Sequence, residues 1–374
     1  MPRTLAYEPH NALNAICPYF TMFPLEYPLQ VLEEYKEENP VVMDPFCGRG
    51  TTLFAARQLG FTAHGIDSSP VAVAIARAKL CNIDIDKTLD LAQEYIEADQ
   101  VKNIPDAEFF RLAFSTSVLK QICAIRNALL SRNRDSNTSV LLRAAMLGCL
   151  HGPISKRPIT QAYFSNQMPR TFSTKPDYSI RYWKEKALKP PEINVISVLT
   201  RKLRRIQQSI PLKRASFFDA RLGDSRFAKS IPTSKRNFSV VVTSPPYYGM
   251  RTYVEDQWLR NWFLGGPPYV EYGKTEQIQH TGKDVFAKSL GSVWQNMART
   301  HHEDLNMYIR FGTLPSVKTN PKSLIHASLE ESGVTWRLQS ISEAATAASG
   351  RRQANHMTAT STSAMEYDFH VYRV

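Results

Sequence analysis

The chain has 374 residues, 43% hydrophobic and 21% charged, the balance of a globular protein with a sizeable core. No run approaches the roughly 20 apolar residues that cross a bilayer, and Met1-Pro-Arg-Thr-Leu-Ala-Tyr-Glu8 lacks the apolar centre of a secretory signal, so a cytoplasmic location is expected. The net charge of +12 is concentrated: residues 151–236 hold 19 of the 46 lysines and arginines but 5 of the 34 acids, a local net of +14 against −2 elsewhere.

Such a block on an otherwise neutral chain suggests a polyanion footprint, because phosphate contacts release condensed counterions. A solvated basic face is the other reading. The five cysteines, Cys17, Cys47, Cys81, Cys123 and Cys149, are scattered and form no CxxC pair. They indicate neither a zinc cage nor a disulfide framework, and no metal is expected.

In chain order, the apolar run Val41-Val-Met-Asp44 reads as a strand ending in a carboxylate. Phe46-Cys-Gly-Arg-Gly50 turns the chain into a helix over 51–59, capped by Thr51 and stopped by Gly60. A second strand over 61–66 ends at Asp67, and Ser69 caps the next helix, whose first turn holds Pro70. Residues from about 85 to 150 look mainly helical. Residues 151–191 read as an irregular insert rich in proline, cations and aromatics, followed by a basic helix over 195–208.

The sheet pattern resumes with the β-branched run Phe238-Ser-Val-Val-Val242. An amphipathic helix over 283–301 shows Phe286, Leu290, Val293, Trp294 and Met297 on one face. A strand over 307–311 and a helix over 321–333 follow, then an antiparallel pair over 335–341 and 366–374. The expected fold is α/β: a Rossmann-like, doubly wound, mostly parallel sheet with an antiparallel terminal hairpin and a helical, irregular basic insert. The expected organisation is 1–90, the cofactor-binding part of a catalytic domain; 91–212, the insert; and 213–374, the second catalytic part.

Two constellations carry chemistry. In Asp44-Pro-Phe-Cys-Gly-Arg-Gly-Thr51, two glycines let backbone approach a ligand at the carboxyl end of a strand. Asp67 is placed to hydrogen-bond a ribose diol. The third glycine of a dinucleotide fingerprint is replaced by Leu53, and no Gly-Lys-Ser/Thr follows, so nicotinamide and P-loop phosphate binding are disfavoured. A ligand with ribose and a cationic sulfonium fits, and a tight turn without ligand is the alternative.

In Thr243-Ser-Pro-Pro-Tyr247, consecutive prolines directly after a buried strand cannot continue a sheet and fix a rigid turn. Its carbonyls and the Ser244 hydroxyl can accept hydrogen bonds from an exocyclic amine, and Tyr247 offers a face for stacking a base. Drawing both amine hydrogens out of plane localises the nitrogen lone pair, so an aligned methyl donor can be attacked directly. A polyproline-like turn with an incidental tyrosine is the other reading.

These two segments resemble motifs I and IV of the S-adenosylmethionine-dependent DNA amino-methyltransferases of restriction–modification systems. The resemblance covers about 16–82 and 215–374. It implies methyl transfer from S-adenosylmethionine to a flipped base in double-stranded DNA, with no metal and no membrane partner, and leaves open a companion restriction endonuclease acting separately. The serine in motif IV is typical of the cytosine-N4 branch, with adenine-N6 the alternative; an RNA base methyltransferase and an inactive DNA-binding protein are further alternatives.

By the same likeness the cofactor pocket comprises Phe23, Asp44, Phe46, Gly48, Gly50, Thr51, Asp67 and Asp224. Phe23 lies in Cys17-Pro-Tyr-Phe-Thr-Met-Phe-Pro24, which looks like the family's motif X, and Asp224 in an acidic turn that contacts adenine. Ser244, Pro245, Pro246 and Tyr247 form the catalytic site. Motif order is X, I, insert, IV, similar to the α-type arrangement; the cytosine-N4 branch often runs in a permuted order. Cys47 is expected to pack rather than to attack.

The insert is the expected DNA reader, through Lys156, Arg157, Asn166, Gln167, Arg170, Lys175 and Arg181, with His151, Tyr182, Trp183 and Lys184 nearby. Arginine can read guanine, asparagine and glutamine can read adenine, and aromatics can stack or wedge. Ser165-Asn-Gln-Met-Pro-Arg170 is the preferred reading loop, with a structural turn the equal alternative.

Overall fold

The computed structural model describes residues 9–19, 24–98, 101, 103–131, 135–153, 162–168, 175–207, 218–231, 237–249, 253–272, 278, 282–313, 319–344 and 366–374. Two compact units form: Met1–Tyr19, Arg77–Pro211 and Thr252–Lys274 in one, Phe20–Ala76, Leu212–Arg251 and Thr275–Val374 in the other.

The second unit is α/β. Seven strands, β1 (Val41–Asp44), β2 (Thr62–Asp67), β3 (Phe218–Leu222), β4 (Val240–Thr243), β5 (Asn306–Gly312), β6 (Trp336–Glu343) and β7 (Glu366–Arg373), lie in the order β3-β2-β1-β4-β5-β7-β6. The first five in that order are parallel; β7 runs antiparallel to β5, and β6 to β7. This is the expected doubly wound sheet with a terminal hairpin. β3, an edge strand of mixed charge (Phe-Asp-Ala-Arg-Leu), was not foreseen, because it lacks the continuous apolar run that reveals β1 and β4.

Strand alternation sorts side chains to two faces. Met43, Val241, Met307 and Ile309 pack with Phe286, Leu290 and Trp294 of the Lys283–Met297 helix in one buried cluster. On the opposite face, Tyr308 meets Tyr35 through their hydroxyls (2.8 Å), and Arg310 lies 3.9 Å above the Tyr27 ring while pairing with Asp368 at 2.6 Å.

The helix after β1 runs Thr51–Leu59, but Thr51 does not cap it. Its N-cap is Gly50 at φ 75°, with no side-chain capping bond, and Thr51 is its buried first residue. Ser69 does cap: its hydroxyl accepts from Ala72 N at 3.3 Å.

The first unit is helical, with Ile85–Glu97, Glu108–Ala113, Thr116–Ser131, Asn137–Cys149, Pro176–Glu185 and Val195–Gln207 among its members. The Pro176–Glu185 helix lies inside the segment expected to be irregular, with Pro176 at its first turn. Phe109 packs on Trp258 and Phe110 on Trp262, each at 4.8 Å, so the 252–274 segment joins this unit although it follows the double-proline turn in sequence. All five cysteines are buried. Among the described residues no helix is long and apolar enough to cross a membrane.

Candidate active site

The carboxyl ends of the parallel strands β1, β2, β3 and β4 lie at one end of the sheet, and the strand order reverses between β1 and β4, the point at which open α/β sheets bind their ligands. Both constellations sit at that point. Asp44 ends β1, and Thr243 ends β4 beside it; both are fully buried. The Thr243 hydroxyl donates to Asp44 Oδ1 at 2.7 Å, and Phe46 N donates to the same oxygen at 3.0 Å. A second tie runs from the Thr52 hydroxyl to Val242 O at 3.1 Å, joining the helix behind the glycine turn to β4. Neither threonine hydroxyl figured in the sequence-based site; the signal was a threonine at a strand end directly before Ser-Pro-Pro.

Burial pushes the Asp44 carboxyl up to about 6, while Thr243, Thr52 and the Phe46 amide beside it hold it down in part. Its Oδ2 is buried and accepts no hydrogen bond among the described residues. Asp67, at the end of β2, is half-buried. Its Oδ2 accepts from Gly48 N (2.9 Å) and its Oδ1 from Ser69 N (2.8 Å), so it clamps the glycine turn to the next helix. Burial also raises this carboxyl to about 6, against the pull of those two amides.

The two glycines differ in role. Gly50 is left-handed (φ 75°), and a Cβ there would meet Ala76 Cβ at 2.8 Å, so it allows two helices to pack closely. Gly48 is also left-handed (φ 49°), yet its Cβ position has nothing nearer than Phe46 O at 4.0 Å. It presents bare backbone to open space. Cys47 is buried, with its side chain against the face of Gly65, where a Cβ would lie 2.7 Å from Cys47 Cβ. The half-buried Phe46 ring meets Trp294 edge-on at 6.3 Å.

After β3, Gly223 N donates to Asp67 O at 3.0 Å and Ser225 Oγ to Pro45 O at 2.7 Å, which holds the acidic turn against the glycine turn. Asn296 adds two bonds from its amide to Ser225 O and Arg226 O, each 2.9 Å. The Asp224 carboxylate is occupied by its neighbour Arg226, at 2.6 Å from Nη2. In the double-proline turn Pro245 is buried, while Ser244, Pro246 and Tyr247 are half-exposed. The Ser244 hydroxyl makes no hydrogen bond among the described residues. Tyr247 rests edge-on against Phe311 at 5.8 Å, and Tyr248 against Phe286 at 5.2 Å.

The structure thus gathers Asp44, Phe46, Gly48, Gly50, Thr51, Asp67 and Asp224, with Ser244 to Tyr247, at one sheet edge. Phe23, Lys156, Arg157 and Arg170 lie outside the described residues. Lys175 and Arg181 are exposed at the Pro176–Glu185 helix, and Gln167 is half-buried. Asn166 is corrected: it is 6% exposed, its amide donates to Leu112 O at 2.6 Å and its backbone N to Ala113 O at 2.7 Å, so it secures a turn and cannot reach a base. Trp183 is likewise buried, its ring tilted at 47° against Phe109 rather than available as a wedge. No group of residues that could hold a metal ion occurs among the described residues.

Residues 2–78 match the model of the N6/N4 methyltransferase family, described as DNA methylase. Over 101 residues the chain is 31% identical to the type II methyltransferase M.MjaII of Methanocaldococcus jannaschii, a stretch that is 26% of this chain and 19% of that protein. The chain therefore spans about a fifth of the length of this curated relative. Loose structural likenesses include the rRNA methyltransferase aviRa from Streptomyces viridochromogenes (11% identity, TM-score 0.33, 98% of this chain and 95% of that one). Another is CrArsM, an arsenic(III) S-adenosylmethionine methyltransferase from Chlamydomonas reinhardtii (10% identity, TM-score 0.29, 94% and 74%). The segment that holds the glycine turn and Asp67 is thus similar to DNA methylases.

Proposed function

We propose that the chain is an S-adenosylmethionine-dependent DNA methyltransferase that modifies the exocyclic N4 amine of cytosine in double-stranded DNA. One observation carries the reading: the 2.7 Å hydrogen bond from Thr243 to Asp44, which ties the turn suited to a methyl donor to the turn suited to an amine. The match of residues 2–78 to DNA methylases supports the DNA methyltransferase part of this reading, for N4 and N6 targets alike.

The cofactor fits the residues present. Bare backbone at Gly48 leaves room for it, Asp67 retains acceptor capacity for a ribose diol, and the orphan Oδ2 of Asp44 adds negative potential suited to a cation. Phe23, Phe46, Thr51 and Asp224 complete the proposed pocket, Asp224 after release from Arg226. S-adenosylmethionine supplies an electrophilic methyl group on a sulfonium. Tyr247 stacks the flipped base, an extrusion that costs a few kcal/mol of stacking. The Ser244 hydroxyl and the carbonyls of Pro245 and Pro246 accept the amine hydrogens and hold nitrogen off-plane. The rate gain comes from alignment and fixed dipoles rather than a covalent intermediate. Exposed Lys175 and Arg181 contact backbone phosphates, with Gln167, Lys156, Arg157 and Arg170 as further contacts.

The test incubates the full chain with duplex DNA and methyl-labelled S-adenosylmethionine, then separates the nucleosides by mass. N4-methylcytosine is expected, and it should fall sharply in Ser244→Ala and Tyr247→Ala. N6-methyladenine would move the target to adenine. Label entering RNA alone would overturn the DNA assignment, and DNA binding without any transfer would overturn the enzyme.

A further inference from the structure

In the helical unit Arg260 is buried with no carboxylate paired to it among the described residues. Arg260 is 1% exposed; its Nε donates to Leu147 O at 3.1 Å and its Nη1 to Gln257 Oε1 at 2.6 Å, but its Nη2 is buried without an acceptor. Gln257 Nε2 and His151 Nε2 are buried and unpartnered in the same way, in side chains 2% and 3% exposed. Lys202 joins from the Val195–Gln207 helix: its Cε passes 3.2 Å from where a Cβ on Gly148 would stand. Exposed Arg205 follows one turn on. All of these converge on the end of the Asn137–Cys149 helix and the residues just after it.

No carboxylate ion-pairs with Arg260 among the described residues. The groups acting electrostatically on Lys202 are two thiols and two guanidiniums, and burial lifts the Cys149 thiol to about 11, so it is no thiolate counterion at neutral pH. Burial and Arg260 together hold His151 well below its usual range, hence neutral. The helix C-terminus offers about half a negative charge, too little for a buried guanidinium and a half-buried ammonium. A trapped water could satisfy a donor but would not neutralise the charge. Buried guanidinium without a counterion is unstable enough that one is expected.

We propose that this cluster is an oxyanion site that takes a phosphate group, with Arg260 Nη2 and Gln257 Nε2 as donors and Lys202 and Arg205 supplying charge from the rim. A tetrahedral oxyanion has several acceptors to meet a guanidinium fork and an amide at once, which a halide does not. Lys202 is half-buried and Arg205 exposed, so the cationic groups of the cluster run from the buried Arg260 toward solvent. The phosphate is a backbone phosphodiester of DNA; that source rests on the function proposed above, whereas the anion site does not.

Two measurements separate the claims. Calorimetric titration of the full chain with inorganic phosphate should detect binding, weakened roughly tenfold to a hundredfold in Arg260→Gln and in Lys202→Gln. Duplex binding measured against salt should lose about one unit of slope in either variant. Because Arg260 is buried, circular dichroism must first show that its variant folds; Lys202→Gln, nearer the surface, carries the test if it does not. Loss of phosphate binding with an unchanged DNA slope would support the site but overturn the backbone as its source. Phosphate binding by a wild-type chain that ignores DNA would have the same meaning and would also remove the DNA reading. Unchanged phosphate affinity in folded variants, or none in the wild type, overturns the site.

Discussion

Thr243→Val removes one hydroxyl and almost no volume, so it isolates the bond that joins the two turns. The lost partner is a buried carboxylate at 2.7 Å, and hydrogen bonds to charged groups contribute ~1.5–3 kcal/mol. A loss near 2 kcal/mol lowers Tm by roughly 4–8 °C in a unit of this size. The cost should depend on pH. Asp44 titrates at about 6 rather than 3.8, so below that pH it is protonated and the bond loses its charge assistance. The gap between wild type and variant should therefore be small at pH 5 and complete by pH 8. Asp44→Asn removes the charge altogether, and in that background Thr243→Val should cost little, a coupling of about 1–2 kcal/mol in a double-mutant cycle. Calorimetry from pH 5 to 8 on the four proteins is the assay. A pH-independent gap, or an equal cost in both backgrounds, would show that the threonine merely packs.

The glycines of the turn should separate folding from binding: Gly50→Ala, facing Ala76 at 2.8 Å, is expected to unfold or aggregate, whereas Gly48→Ala should fold at a cost of about 1 kcal/mol and lose cofactor affinity. Equal stability of the two variants would contradict this. With Asp44 and Asp67 both raised, the native state holds more protons than the unfolded chain between about 4 and 6, so their contribution to stability falls as pH rises through that window. A cationic ligand favours the ionised acids, so S-adenosylmethionine should raise Tm more at pH 7 than at pH 5; a shift of equal size at both would count against contact with them. Asn166→Ala should destabilise by about 1–2 kcal/mol by leaving Leu112 O unpaired, with no change in the salt slope of DNA binding. A changed slope would restore it as a DNA contact.

The parts legible in the sequence are those where one local rule dominates. A buried apolar run ending in an acid identifies β1, and two prolines after a β-branched run place the end of β4. The glycine turn was read correctly as a turn, but its cap was not: Thr51 has the right chemistry, yet the left-handed Gly50 already occupies the capping position. β3 and the Pro176–Glu185 helix escaped because charge interrupts the apolar pattern of one and proline and cations mask the period of the other. Asn166 and Trp183 misled for a different reason. Composition suits both to reading a base, and only tertiary packing decides that they face inward. Arg260 could not have been found at all, since a lone arginine between Leu259 and Asn261 gives no sign of being buried.

The bond between Asp44 and Thr243 spans 199 positions of chain. β4 lies between β1 and β5, so until residues near 243 leave the ribosome the open flank of β1 has no neighbour on that side. The nascent chain must carry a half-paired central strand through synthesis of residues 77–211 of the helical unit, a state prone to mispairing. Long-range closure of this kind is slow, and refolding of the isolated protein should be limited by insertion of β4 rather than by formation of the helices.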